Sequence, residues 1–233
     1  MKHTLALALI CTTLSAVADS ATAANAPGAG DSWSYRVVNV YNGEARGTVQ
    51  YRVEKADANQ LAIVTSSDLA ALGTSRTEIY TADGQGLKQA IINHDQPVEY
   101  QFAQPYPAYE FPLESGKSWS KRVQATNVAN GRRASVRVDG DVLGTEHVTV
   151  PAGAFDTIKI RRRIYAGDFE GSRSETNIVE TEWYAPALGR AVKLNRNSSF
   201  MDQARCTDEM SSCTPVRGDW LQFELTSLGK AQP

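Results

Sequence analysis

Metal and redox chemistry have little to work with in this chain of 233 residues, which holds three histidines and three cysteines. His3 and Cys11 fall in the first apolar segment, leaving His94, His147, Cys206 and Cys213. No H-E-x-x-H or C-x-x-C spacing occurs, so neither a zinc centre nor a dithiol motif is readable, and no cofactor is implied. A G-x-S-x-G elbow, a phosphate-cradling G-x-x-x-x-G-K and a dinucleotide glycine pattern are also missing. A scattered Ser, His, Asp triad stays open, because triads are defined by geometry and not by sequence order. Charge of one sign is lacking too. With 24 basic and 26 acidic residues the net charge is −2, which excludes the concentrated basic surface that nucleic-acid binding needs.

Long apolar runs are confined to Leu5–Leu14, which follows Lys2 and His3 and precedes small residues with A-x-A sites at 16–18 and 21–23. This is the tripartite form of a secretory signal, expected over residues 1–23. The run is too short to span a bilayer, and no transmembrane segment is expected. Ile10 is too large for lipoprotein processing at Cys11. The mature chain, residues 24–233, is therefore expected to be a single exported β domain, periplasmic or extracellular. In that oxidising setting Cys206 and Cys213 form the simplest local disulfide, stabilising by roughly 2 to 3 kcal/mol on a chain-entropy argument.

Helix signals are nearly absent, the best being a turn or two over Ser67–Leu72. Strand signals are abundant. Trp33, Tyr35 and Val37 share one face, Asn42-Gly43 predicts a type I′ hairpin, and Thr48–Val53 alternates on the return. Further strands are expected over Leu61–Thr65, Thr77–Thr81, Leu87–Ile92, Arg133–Val138, Glu180–Tyr184 and Ala191–Leu194, with a closing strand at Asp219–Leu225.

The chain also repeats itself. G-D-S-W-S-Y-R-V at Gly30–Val37 matches G-K-S-W-S-K-R-V at Gly116–Val123, N-V-Y-N-G at Asn39–Gly43 matches N-V-A-N-G at Asn127–Gly131, and T-E-I-Y at Thr77–Tyr80 matches T-E-W-Y at Thr181–Tyr184. The offset grows from 86 to 88 to 104. The first increment is even, so it keeps later side chains on their original faces. The second has the length of an added hairpin, expected somewhere in Asp139–Glu175. The expectation is a curled antiparallel sheet or open barrel of two tandem diverged repeats, about 30–112 and about 115–200, followed by a disulfide loop and closing strand over 201–228.

Two sets of side chains could bind a ligand. Lys159, Arg161 and Arg163 alternate along one strand and would form a basic face for an anionic headgroup or partner. A solvated face with acidic cross-strand partners, Glu180 and Glu182, is the plainer alternative. In Q-F-A-Q-P-Y-P-A-Y-E-F-P, Gln101–Pro112, three prolines argue for a connector or edge rather than a central strand. Its aromatics, Tyr106 and Tyr109 above all, could stack on a ligand or form a flap over one end of the sheet. Asp168 and Glu170 sit between glycines as turn residues, and Asp139-Gly140-Asp141 lacks the further ligands of a calcium loop. No residue is assigned a catalytic role.

V-P-A-G-A-F-D-T-I-K-I at Val150–Ile160, with E-T-E-W-Y-A-P-A-L-G-R-A-V-K at Glu180–Lys193, resembles a group of bacterial exported proteins of unknown function. The resemblance covers residues 115–200 well and the earlier copy loosely. It implies a curled antiparallel sheet of half-barrel type in the cell envelope, with a fainter architectural similarity to periplasmic lipid or lipoprotein carriers, and it carries over no catalytic residue. The sequence thus points to a non-catalytic exported protein that binds a lipid-like or other apolar ligand, or an envelope protein. A periplasmic hydrolase with an unrecognised site and a structural envelope protein acting through its edge strands are the alternatives.

Overall fold

Period-two alternation of apolar and polar residues dictates strands along almost all of the chain. The computed structural model describes residues 27–69, 72, 75–94, 96–206 and 213–230; the expected signal segment lies outside them. The strands are β1 (Ser32–Asn39), β2 (Ala45–Ala56), β3 (Gln60–Ser67), β4 (Ser75–Thr81), β5 (Gly86–Asn93), β6 (Gln96–Tyr106), β7 (Ser118–Asn127), β8 (Arg133–Val150), β9 (Gly153–Ala166), β10 (Thr176–Ala185), β11 (Arg190–Phe200), β12 (Val216–Arg217) and β13 (Leu221–Gly229). The short helix expected over Ser67–Leu72 lies partly outside the described residues, and Ser67 itself ends β3.

Each strand from β1 to β11 pairs antiparallel with the next. The sheet does not stay open. β13 inserts between β1 and β11, with Val37 opposite Phe223 and Leu194 opposite the same phenylalanine. Twelve strands thus close into a barrel, and two-residue β12 attaches beside β11. Closure corrects the expected open or half barrel, and its cause is physical: an open curl would leave the edges of β1 and β11 unpaired. Outward side chains form cross-strand ion pairs such as Arg36–Glu224 at 2.6 Å and Lys88–Glu99 at 3.2 Å. The described exterior is therefore charged, unlike the apolar belt of a membrane barrel.

The two Asn-Gly hairpins differ from the expected type I′ turns. Only the glycines, Gly43 and Gly131, adopt left-handed φ, at 69° and 72°. Each loop has four residues, closed by Asn39 N–H to the Glu44 carbonyl and Asn127 N–H to the Arg132 carbonyl, both at 2.9 Å. Asn39 Oδ1 accepts from Tyr41 N–H and Asn127 Oδ1 from Ala129 N–H, again both at 2.9 Å. Asn42 and Asn130 cap Glu44 and Arg132 in the same way, both at 3.0 Å. Each asparagine therefore holds the loop through its side chain, which is why both Asn positions and the glycine recur.

The extra length in Asp139–Glu175 is not a separate hairpin. The length lies in the β8–β9 hairpin, whose strands have 18 and 14 residues. The extension folds over the outside of the barrel, where Val148 and Val150 join Trp183 in one cluster. Its V-P-A-G tip docks on a strand edge, Ala152 N–H donating to the Leu225 carbonyl at 3.0 Å. β11 pairs with β13 only through Glu224, so the tip satisfies a carbonyl just past that ladder.

The proline-rich segment also departs from expectation, because its first half belongs to β6. Pairing of β6 with β7 stops at Phe102, so Pro105 falls where no β7 partner needs its missing N–H. Beyond Tyr106 the chain turns into the barrel end. Trp119 and Leu113 are buried there, with Phe111 and Tyr109 packed against their cluster, and Trp119 Nε1 donates to the Pro107 carbonyl at 3.1 Å.

The Trp119 ring lies on Gly140. A Cβ at that glycine would come within 2.2 Å of the ring, so glycine is required for space. Gly140→Ala is expected to destabilise the fold by about 1–3 kcal/mol through overpacking, read as a lower Tm. Trp119→Ala should cost about 3–5 kcal/mol. An unchanged Tm for Gly140→Ala would show that the ring is not fixed against this strand.

Candidate functional site

Strand alternation sends several charged residues inward. On β4 the inward set is Arg76, Glu78 and Tyr80; on β9 Arg162 falls in phase with Ile160 and Ile164; on β10 Glu180 and Glu182 lie between Ile178 and Tyr184. Arg196 of β11 stands opposite Glu180 in the register. Arg162 donates to Glu180 Oε2 through Nε at 3.1 Å and Nη2 at 2.9 Å, and Nη2 also bonds Glu182. Arg196 Nε reaches Glu180 Oε1 at 2.7 Å. Across the interior, Arg76 Nε bonds Glu78 at 2.6 Å and the Tyr80 hydroxyl donates to the other oxygen of that carboxylate.

Three guanidiniums thus face three carboxylates. Burial alone would push the Glu180 carboxyl up, but Arg196 and Arg162 outweigh it and hold it at about 2. Burial likewise opposes the charge on Arg162, yet Glu182 and Glu180 raise it well above the usual arginine value. Glu180, Arg162 and Arg196 are thus held in their ionised forms. Each removed hydration shell is replaced by charge-assisted hydrogen bonds, which is the condition for tolerating buried ions.

The inward-turned segment after β6 completes this layer. The Tyr109 hydroxyl donates to Glu182 Oε1 at 2.7 Å, Arg162 Nη1 donates to the Ala108 carbonyl at 3.2 Å, and Gln85 Nε2 donates to the Tyr109 carbonyl at 3.0 Å. Two adjoining cavities, of about 250 and 230 Å³, share Trp33, Tyr35, Tyr51, Tyr80 and Tyr109 in their walls. The first lies against the charge network. The second opens at the barrel end between Trp33, Tyr184 and Arg190. Burial pushes the phenols of Tyr35, Tyr80 and Tyr109 well above their usual range, and those of Tyr51 and Tyr184 up to about 12. These rings stay neutral at physiological pH.

The basic strip predicted from sequence lies on the outer wall. Lys159 pairs with Glu146 at 3.0 Å, Arg161 with Asp141 at 2.9 Å, and exposed Arg163 stands opposite Asp139. Its acidic neighbours belong to β8. Glu180 and Glu182, expected beside the strip, point inward instead. Tyr106 and Tyr109 both line the first cavity. His147 pairs with Asp156 at 2.8 Å on the exposed extension, while His94 is buried at the other barrel end against the Ser174 carbonyl at 2.6 Å. Glu170 pairs with Arg132 there. Cys206 and Cys213 are joined as a disulfide. Among the described residues no three His, Cys, Asp or Glu side chains converge as a metal site. Sequence reasoning missed Arg162, Glu78, Glu180, Glu182 and Arg190 as interior groups. The signal was available: in I-K-I-R-R-R-I the middle arginine keeps the phase of the isoleucines.

Solved structures show similarity in fold. A provisionally assigned lipoprotein from Parabacteroides distasonis ATCC 8503 superposes with a TM-score of 0.52 at 15% identity, over 91% of this chain and 100% of its own. A provisionally assigned exported protein with a YmcC-like fold, from Bacteroides fragilis NCTC 9343, gives 0.52 at 18% identity, over 90% and 100%. At this identity the likeness establishes the all-β architecture alone. No family model matches the chain, and no curated protein matches it.

Two predictions follow from the charge network. Arg162→Leu leaves buried Glu182 without a cation, Glu180 keeping Arg196, and is expected to cost about 3–5 kcal/mol, measured by urea unfolding. Glu180 is held near 2 when folded, below the ~4.3 of an unfolded glutamate. Its contribution is therefore complete above that unfolded value and is lost as pH falls toward about 2. Glu180→Gln should flatten the acid limb of the Tm–pH curve; an unchanged slope would exclude Glu180 as its source.

Proposed function

We propose that this chain is an exported, non-catalytic binding protein that takes an apolar or amphipathic small molecule into the aromatic end of its barrel. The observation that carries this reading is the pair of aromatic-walled cavities above a charge network that has already neutralised itself. Their walls mix aromatic rings with polar groups, a lining that suits an amphipathic small molecule. Catalysis by paired carboxylates would need one acid kept protonated, whereas Glu180 is held ionised and Glu78 and Glu182 each accept from an arginine. An envelope component working through its edge strands is not favoured either, since β1 and β11 are paired on both sides. Export is supported by the signal-like first segment, by the disulfide, and by the similarity in fold to a Bacteroides fragilis protein described as exported.

The chain further reads as two diverged six-stranded units, β1–β6 and β7–β11 with β13. Support comes from the matched turns and from the strand entrances. Gly30 and Gly116 share φ 85°. Gly30 N–H to the Val53 carbonyl at 2.8 Å parallels Gly116 N–H to the Val142 carbonyl at 2.9 Å. The repeated T-E-x-Y places Glu78 with Tyr80, and Glu182 with Tyr184, on inward positions of β4 and β10. On this reading the duplication supplied both acidic walls of the interior.

Native mass spectrometry of the mature protein, purified without detergent, should show a small molecule that leaves on denaturation. Titration with the neutral dye N-phenyl-1-naphthylamine should saturate at one site and weaken in Tyr109→Ala. Absence of both an adduct and saturable dye binding would overturn the reading.

A further inference from the structure

Among the described residues four guanidiniums face the barrel interior or its mouth, and three of them are matched. Arg76, Arg162 and Arg196 pair with Glu78, Glu180 and Glu182. Arg190 has no carboxylate within 4.0 Å among the described residues. Its side chain is held by Nε donating to the Leu188 carbonyl at 3.4 Å and by lying over the Trp33 ring, 3.2 Å from the centroid. The terminal nitrogens bond to no described protein group, and the side chain lines the 230 Å³ cavity.

The position is built. Arg190 is the first residue of β11, just after the turn 186–189 of W-Y-A-P-A-L-G-R. Gly189 closes that turn with a φ of 67° and an N–H bond to the Ala185 carbonyl at 3.0 Å. Trp33 is itself fixed, stacked on Tyr51 at 5.5 Å with 9° between planes. Surrounding phenols spend their hydroxyls on the protein: Tyr35 on the Ala191 carbonyl at 2.7 Å, Tyr80 on Glu78, Tyr109 on Glu182. What they turn toward the cavity is ring surface. Burial also lowers the Arg190 pKa from its usual value, as for a cation held away from water without a matching anion.

We infer that Arg190 is the anchor for the acidic head of the ligand, and that the ligand is an amphipathic carboxylate whose apolar body lies against the Tyr109 and Tyr184 rings. The inference rests on the binding reading above and specifies its ligand class. A guanidinium fixed in plane by an aromatic ring presents parallel N–H donors that match a carboxylate in two-pronged fashion. Asp83, exposed at the same mouth with its carboxylate held by the Thr81 hydroxyl, disfavours an anion along its own side and so confines the head to the Arg190 side.

Isothermal titration calorimetry with 2-naphthylacetate and its neutral isostere 2-naphthylacetamide tests this on the mature protein. The carboxylate is expected to bind about tenfold more tightly than the amide, as for loss of one charge-assisted pair. Arg190→Gln should abolish that preference while leaving the amide bound, and Arg190→Lys should retain part of it. Arg161→Gln, which removes an outer-wall charge, should leave the preference intact. Equal binding of both probes by the parent protein, or a preference that survives Arg190→Gln, overturns the anchor while the apolar-cavity reading stands. Loss of the preference in Arg161→Gln as well would mean overall charge and overturn it too. Binding of neither probe would remove both.

Discussion

Charge neutrality inside a closed barrel is the constraint on which this structure turns. Three arginines and three glutamates occupy inward positions where a β-barrel of this kind would ordinarily carry apolar side chains, and none could be tolerated alone. The pairs tie consecutive strands, Arg162 joining β9 to β10 and Arg196 β11 to β10, and Arg162 also reaches back to the segment after β6. Replacing such a network by apolar residues can be neutral for stability, whereas breaking it in part is costly. It fixes where each strand sits as much as how firmly.

The same network shapes the space above it. Because Tyr109 must reach Glu182, the chain between β6 and β7 is drawn into the barrel end, and Trp119 closes over it on the Cβ-less surface of Gly140. The remaining gap is walled in part by Tyr35, Tyr80 and Tyr109, whose hydroxyls are engaged by the protein. A cavity results whose wall mixes aromatic rings with polar groups and carries, among the described residues, one guanidinium without a carboxylate partner. In the proposed function, the fold supplies shape through the plug and selectivity through Arg190.

Closure depends on two small devices outside the cavity. β13 returns from the disulfide region to fill the gap between β1 and β11, and the V-P-A-G tip of the long β8–β9 hairpin meets β13 where β11 no longer does. Trp183, facing outward, is covered by that extension and flanked by Lys159 at 4.9 Å and Lys193 at 5.1 Å from its ring. The basic strip therefore serves the outer wall through cation–π contact and ion pairs.

Local chemistry made much of this legible in advance. Strand identity follows from period-two alternation and the inward phase of Ile158, Ile160 and Ile164 from spacing alone, whereas Asn-Gly marked the hairpins but not their asparagine-capped four-residue form. Even Arg162 was marked by that phase, although a lone arginine in a basic run reads more naturally as surface. Other features are non-local and have no sequence signature. Whether the sheet closes depends on β13 finding two edges, that of β1, whose Asn39 meets Leu221 from the far end of the chain, and that of β11 across the disulfide loop. Which glutamate meets which arginine depends on register across the closed barrel, and the turn of the Pro107–Leu113 segment into the interior depends on partners contributed by β9 and β10. Alternation thus determined the strands and their faces, while only the tertiary structure decided closure, charge pairing and the cavity, because those energies arise from groups that meet only after the chain has come back on itself.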